Sequence, residues 1–173
     1  TDDAEIYNKI HDYLSVYQKE DLIKLGLYKD DLLSLNSFYG VKTKLENALK
    51  PTVWLKSGAS IIIQHTEALT VIDVNTGKAI KGKKAAEETF LKINLEAAKE
   101  IAKQMRLRNL SGIIIIDFID MKSKDDEQTL MKELEKHFRN DPTKTTLVSM
   151  TALGLVEITR KKIRKPLYEQ LNS

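Results

Sequence analysis

At residue 53 the spacing of apolar positions changes. Before it, Ile6, Ile10, Tyr13, Leu14 and Tyr17 recur every three or four residues, the signature of a helix with one apolar stripe. Thr43-Lys44-Leu45-Glu46 has the form of a capping box, which predicts a short helix opening there and stopping before Pro51. Between the two, Leu27 to Phe38 reads as irregular. From Val53 onward strand-like segments appear: Val53-Trp54-Leu55, Ser60 to Gln64 and Leu69 to Val74, separated by the turn Lys56-Ser57-Gly58-Ala59 and the tight connection His65-Thr66-Glu67-Ala68. Ala86, Phe90, Ile93, Ala97, Ile101 and Met105 then mark the buried stripe of a long helix, with Glu88 and Lys92 on its outer face. The continuous run Ile113 to Ile116 predicts a strand buried on both faces. Ser123-Lys124-Asp125-Asp126 opens a further helix with Leu130, Leu134 and Phe138 inward, halted by Asn140-Asp141-Pro142. Thr145 to Met150 and Leu155 to Thr159 alternate as strands. The pattern predicts an α/β protein with a mixed β-sheet and packed helices over residues 51–173, preceded by a helical segment over residues 1–50.

Two of the strands run out into acidic residues. Asp117 follows the four isoleucines, and Asp73 follows Leu69-Thr70-Val71-Ile72. Asn75 stands two residues beyond Asp73 and shares its face if the strand continues. Two carboxylates and an amide converging at one sheet edge could hold a metal ion. Acidic residues after strands more commonly cap loops or helices, so the pairing raises the metal reading without settling it.

Composition narrows the chemistry. A chain of 173 residues can bury a sizeable core, and the absence of cysteine excludes disulfides and thiolate metal sites. The run Ile113 to Ile116 is far too short to cross a bilayer, and the amino terminus has neither the basic nor the apolar region of a signal peptide, so a soluble, cytoplasmic protein is expected. The sequence starts at Thr1 without Met, as a fragment would. Net charge is only +3, but the cations cluster. Lys78, Lys81, Lys83 and Lys84 follow Asp73 and Asn75 directly, with Gly77 and Gly82 among them. Glycines let backbone amides approach a polyanion, and lysines neutralise its phosphates. Arg160-Lys161-Lys162-Ile163-Arg164-Lys165 follows the last strand, and Arg106 and Arg108 end the long helix. Taken singly these are solvated loops and helix ends; around an acidic pair they suit metal-dependent phosphodiester hydrolysis. Lys78, Lys81, Lys83, Lys144, Arg160 and Lys161 are the candidate contacts to a nucleic-acid backbone.

Other chemistries find little support. Phe118 and Tyr39 could stack bases, though Phe118 lies in an apolar run and suits a core. His11, His65 and His137 lack the spacing of a zinc site, while His65 could touch phosphate. Ser57 and Ser60 have no partnered base. Gly77 to Gly82 has the glycine spacing of a phosphate-binding loop, but Lys84 stands where Ser or Thr is required.

The segments HTEALTVIDVNTGKAIKGK, INLEAAKEIAKQMRLRNLSGIIIIDFIDM and GLVEITRKK resemble, in the same order, the catalytic core of the ribonuclease E/G family, from roughly Leu33 to Pro166. The resemblance implies that residues 51–173 form a DNase I-like catalytic subdomain with a basic tail, and residues 1–50 the end of an RNase H-like subdomain. It assigns the two magnesium-binding aspartates to Asp73 and Asp117, the supporting asparagine to Asn75, and a role behind the ligands to Asp120. The implied reaction is magnesium-dependent cleavage of single-stranded, AU-rich RNA to 5′-monophosphate products, with Mn2+ a workable substitute, in RNA processing and decay. Intact family members carry, before these residues, an oligonucleotide-binding barrel and a 5′-end sensor pocket, and after them a Cys-x-x-Cys zinc link; the chain has none of these, which leaves a homo-oligomer open but without that link. A non-catalytic RNA-binding module or scaffold is the competing reading, and a DNA nuclease or phosphatase on a related metal site a weaker third.

Overall fold

A computed structural model describes residues 1–77 and 86–171. Lys78, Lys81, Lys83 and Lys84 lie outside the described residues, as do the side chains of Ala86 and Glu88. Two compact units divide between Asn47 and Ala48.

The first unit is helical. Helix α1 (Ala4–Tyr17) starts where Asp3 accepts a hydrogen bond from the Ile6 amide at 2.9 Å. A 3-10 turn follows at Lys19–Lys24, then the short α2 (Leu35–Phe38), capped by Ser34, lies inside the stretch whose pattern reads as irregular. Four residues are too few for periodicity to register. Helix α3 (Val41–Leu49) begins directly after Gly40, whose φ of +57° reverses the chain out of α2. Thr43-Lys44-Leu45-Glu46 therefore lies within α3 instead of opening it. The turn at Gly40 supplies the start, since the Lys44 amide already bonds to the Gly40 carbonyl at 3.1 Å.

The second unit is built on a six-stranded mixed sheet in the order β1-β2-β3-β4-β6-β5, formed by β1 (Thr52–Trp54), β2 (Ser60–His65), β3 (Leu69–Asn75), β4 (Gly112–Asp117), β5 (Thr145–Met150) and β6 (Leu155–Arg160). β3 and β4 run parallel, and the other neighbouring pairs are antiparallel. Parallel neighbours need a crossover, and α4 (Ala86–Leu107) lies between them in sequence. Ile93, Ala97, Ile101 and Met105 of α4, with Ala98 and Ala102 between them, are fully buried, and the small alanines let the helix lie close to its neighbours. Helix α5 (Lys124–Arg139) is capped by Ser123 and buries Leu130, Leu134 and Phe138. These side chains join Ile61, Ile63, Ile72, Val74, Ile114, Ile116, Val156 and Ile158 in one core on one face of the sheet. A short α6 (Leu167–Leu171) ends the described chain. Among the described residues no helix is long and apolar enough to cross a membrane.

One expectation fails here. Ile114 and Ile116 are completely buried, but Ile113 is 50% exposed and Ile115 only half-buried. β4 is covered fully on one face, and a run of four isoleucines fits that arrangement as readily as the two-faced one.

Candidate active site

Parallel pairing places Asp73 and Asp117 in register as the last matched pair of β3 and β4. Residues in register on parallel strands point to the same face, at strand spacing of about 4.8 Å. The carboxyl ends of adjacent parallel strands are where open α/β sheets bind their ligands. Asn75 continues β3 past Asp73, and its Nδ2 donates to Asp73 Oδ2 at 2.6 Å. That bond fixes one oxygen of Asp73 and leaves the other available.

The chain leaves β4 through Phe118, which is buried, and Asp120, which is exposed. Partial burial first, then repulsion from Asp73 and Asp120, raises the Asp117 carboxyl above the usual aspartate range. Among the described residues no Lys or Arg forms an ion pair with Asp73, Asp117 or Asp120 within 4.0 Å. Converging negative charge with no ion-paired cation among the described residues fits a hard divalent ion. Among the described residues there is no group of three or more His, Cys, Asp or Glu arranged for a metal, so the donors these residues could add to the two aspartates are amide or carbonyl oxygens, with water.

Three backbone features frame this edge. The β1–β2 turn, Lys56-Ser57-Gly58, sits at the same end of the sheet, because Ser60 pairs with Asn75. Glu96 of α4 holds it, accepting from the Lys56 amide at 2.8 Å and the Ser57 amide at 3.4 Å. Gly77 has φ +54°, and a Cβ there would collide with the Gly58 carbonyl oxygen, so only glycine lets the chain leaving Asn75 pass the turn. Across the edge, the turn between β5 and β6 brings Gly154 (φ +82°) near Asp120, whose Oδ1 would lie 4.0 Å from a Cβ at that position.

The basic candidates divide. Lys78, Lys81 and Lys83 follow Gly77 but lie outside the described residues. Arg160 is not a surface cation: its side chain is 3% exposed and Asp141's 1%. Its Nε and Nη2 donate to Asp141 at 2.8 and 3.1 Å, and Nη1 donates to Asn109 Oδ1 and the Leu110 carbonyl at 3.1 and 2.9 Å. All this is spent on closing the core beneath β6, so the expected RNA contact at Arg160 is corrected to a structural one. Arg108 is likewise buried, donating to Gln104 Oε1 at 2.8 Å and to the Lys50 carbonyl at 2.7 Å. Lys144 and Lys161 are exposed and joined by a backbone hydrogen bond of 3.0 Å. They adjoin Arg160, which pairs with Gly112, whereas Leu155 pairs with Asp117. That is five residues along β4, about 17 Å from the acidic pair at 3.3 Å per residue. The structure does not bring them to the carboxylates.

His65 also lies at the far end. It stacks on Tyr168 with centroids 4.5 Å apart, and its Nδ1 lies 3.2 Å from Thr70 Oγ1. Burial and the nearby Arg108 lower its pKa, which favours neutral imidazole over a phosphate-binding cation. Phe118 belongs to the core.

Two residues escaped the sequence reading. Lys56 is an exposed cation at the correct end of the sheet, visible in sequence only as part of a turn. Asn94 lies on the buried side of α4, completely enclosed, and binds both the carbonyl and the amide of Ile119. A polar residue next to the buried stripe, between Ile93 and Ala97, was its only signal.

The sequence profile of the Ribonuclease E/G family matches residues 1–163. Ribonuclease G of Escherichia coli (strain K12) is 40% identical over 163 residues, covering 93% of this chain and 32% of the relative. Ribonuclease E of Nostoc sp. is 46% identical over 132 residues, 76% of this chain and 19% of that protein. Ribonuclease E of Synechocystis sp. is 47% identical over 137 residues, 79% of this chain and 20% of that protein. The chain thus spans a third or less of the length of these relatives.

Proposed function

The chain belongs to the ribonuclease E/G family, and from that premise we propose that it carries the catalytic centre of an endoribonuclease that hydrolyses single-stranded RNA at Asp73 and Asp117. The observation that carries the proposal is the register pair Asp73 and Asp117, with Asn75 bonded to the first. In the same reading residues 1–50 are the end of an RNase H-like subdomain, and the sheet unit is DNase I-like.

The two aspartates would hold Mg2+, or Mn2+ in its place, on the oxygens that Asn75 leaves free. When bound, the ion supplies Lewis-acid stabilisation of the phosphate and a lowered pKa for the attacking water. Asn75 keeps Asp73 from rotating, so its free oxygen stays aimed at one point. Asp120 acts from behind, by its charge on Asp117. Water attacks phosphorus, the bond from phosphorus to the 3′-oxygen breaks, and the phosphate remains on the 5′ end of the downstream product. Lys56 and the lysines after Gly77 supply the cations that bring a polyanion to an acidic edge.

The test uses an end-labelled, AU-rich, single-stranded RNA with Mg2+. The parent should cut it to products with 5′-monophosphates. Asp73→Asn and Asp117→Asn should each lower the rate at least 100-fold while RNA affinity holds or rises, because a negative charge has been removed. Binding without cleavage by the parent, in Mg2+ and in Mn2+, would transfer the reading to a non-catalytic RNA-binding module. Equal cutting of the matching DNA would point to a general nuclease.

A further inference from the structure

We propose that Asn94 is a positioning residue for the acidic edge: from inside α4 its side-chain amide takes the place of a missing strand partner for Ile119 and so sets where Asp117 and Asp120 stand. The inference rests on the reading of that edge as a metal site.

β4 ends at Asp117, and Ile119 lies two residues beyond the ladder. Its backbone would still need partners, since it runs between the buried Phe118 and the exposed Asp120. Asn94 provides both. Its Nδ2 donates to the Ile119 carbonyl at 2.8 Å, and its Oδ1 accepts from the Ile119 amide at 3.1 Å. A carboxamide bonded at once to the amide and carbonyl of one residue imitates a β-bridge. It fixes the peptide planes on both sides of Ile119, and so the direction of the chain from Asp117 to Asp120. The anchor is firm because Asn94 is completely buried, with Ile93, Ala97 and Ala98 beside it in the core.

No other side chain reproduces this. An ionised aspartate can accept from the Ile119 amide but sets a carboxylate against its carbonyl, and alanine offers neither bond. Glutamine carries the same group one methylene too far out. The same helix holds the opposite wall, where Glu96 accepts from Lys56 and Ser57. α4 therefore ties the β1–β2 turn and the segment after β4 to one rigid element.

A purely structural asparagine would change stability alone, whereas a positioning one changes the affinity of the carboxylates for a metal in protein that is still folded. The experiment measures Mn2+ affinity by electron paramagnetic resonance in the parent, Asp73→Asn, Asn94→Asp, Asn94→Ala and Leu134→Ala. The last empties a buried position in α5 and controls for lost stability. Folding is verified by circular dichroism at low temperature, and loss of the clamp by faster exchange of the Ile119 amide. Asn94→Asp preserves side-chain volume and serves if Asn94→Ala does not fold. The expected result is at least a tenfold weaker Mn2+ affinity in the Asn94 variants and less than a twofold change in Leu134→Ala. Parental affinity in a folded Asn94 variant whose Ile119 amide has lost protection would overturn the inference and leave the metal site standing. A parent that binds no Mn2+ would remove the metal site, and this inference with it.

Discussion

Arg160→Leu should destabilise the sheet unit by about 3–5 kcal/mol at pH 7, the usual consequence of removing one partner from a buried ion pair. The structure gives the terms. Four N–H···O bonds of 2.8 to 3.1 Å disappear, and the Asp141 carboxylate, 1% exposed, keeps only the Thr143 amide and the Thr145 hydroxyl as donors. Asn109 Oδ1 and the Leu110 carbonyl lose a donor as well. Arg160→Lys keeps the charge, but one ammonium cannot span both oxygens of Asp141 and also reach Asn109 and Leu110. With two of the four bonds lost at about 1 kcal/mol each, it should cost about 2 kcal/mol. The pH dependence gives a second check. Burial alone would raise the Asp141 pKa, but hydrogen bonds from Arg160, Thr143 and Thr145 and the guanidinium charge lower it overall. A depressed carboxylate contributes stability above its unfolded pKa and loses it as pH falls through the folded one. Without Arg160 that contribution is gone, so the gap between parent and Arg160→Leu should narrow as pH drops below about 4. Urea denaturation at pH 7 and pH 3.5, with m-values compared, measures both. A loss below 1 kcal/mol at pH 7, or a gap that widens in acid, would refute the enclosed pair and return Arg160 to the surface as a phosphate contact.

Other consequences follow from the acidic edge. Because the Asp117 pKa is raised, its ionisation opposes folding once the pH exceeds the ordinary aspartate value; Asp117→Asn should therefore raise the metal-free melting temperature at pH 7 slightly, the effect being screened at an exposed site, with no difference near pH 2.5. Scanning calorimetry in chelator decides it, and a lower melting temperature at pH 7 would contradict the repulsion. Lys56→Ala should weaken RNA binding severalfold and flatten the dependence of log affinity on log salt by about one unit, measured by fluorescence anisotropy, whereas Lys161→Ala, at the other end of the sheet, should alter cleavage much less.

The carboxylate pair was legible in the sequence because apolar runs that stop at aspartates mark where buried strands end: Asp117 does end β4, and Asp73 is the last residue of β3 to pair with β4, although β3 itself runs on to Asn75. That the two strands are adjacent, parallel and in register is a tertiary fact: the strand ends and the family resemblance both pointed to convergence at one sheet edge, but neither carried the pairing direction or the register. Local pattern failed where one sequence suits two environments. Ile113 to Ile116 could be covered on one face or two, and Thr43-Lys44-Leu45-Glu46 could cap a helix or lie inside one. Arg160 shows the limit of charge clustering. It stands first in a run of cations, but as the last residue of β6 it turns inward onto Asp141, a partner 19 positions earlier that no local rule connects to it. Asn94 failed for the opposite reason, since a single polar residue beside a helical stripe gives no clue that its partner is the backbone of residue 119.

The most direct test of the account is an Mn2+ titration followed by electron paramagnetic resonance, on the parent and on Asp73→Asn, with Mn2+ standing for Mg2+. One site per chain that disappears in Asp73→Asn while the protein stays folded is the predicted result, because Asp73 and Asp117 supply the charge of a single centre. No site in the folded parent, or an equal site in Asp73→Asn, would contradict the claim that the two strand ends bind one metal.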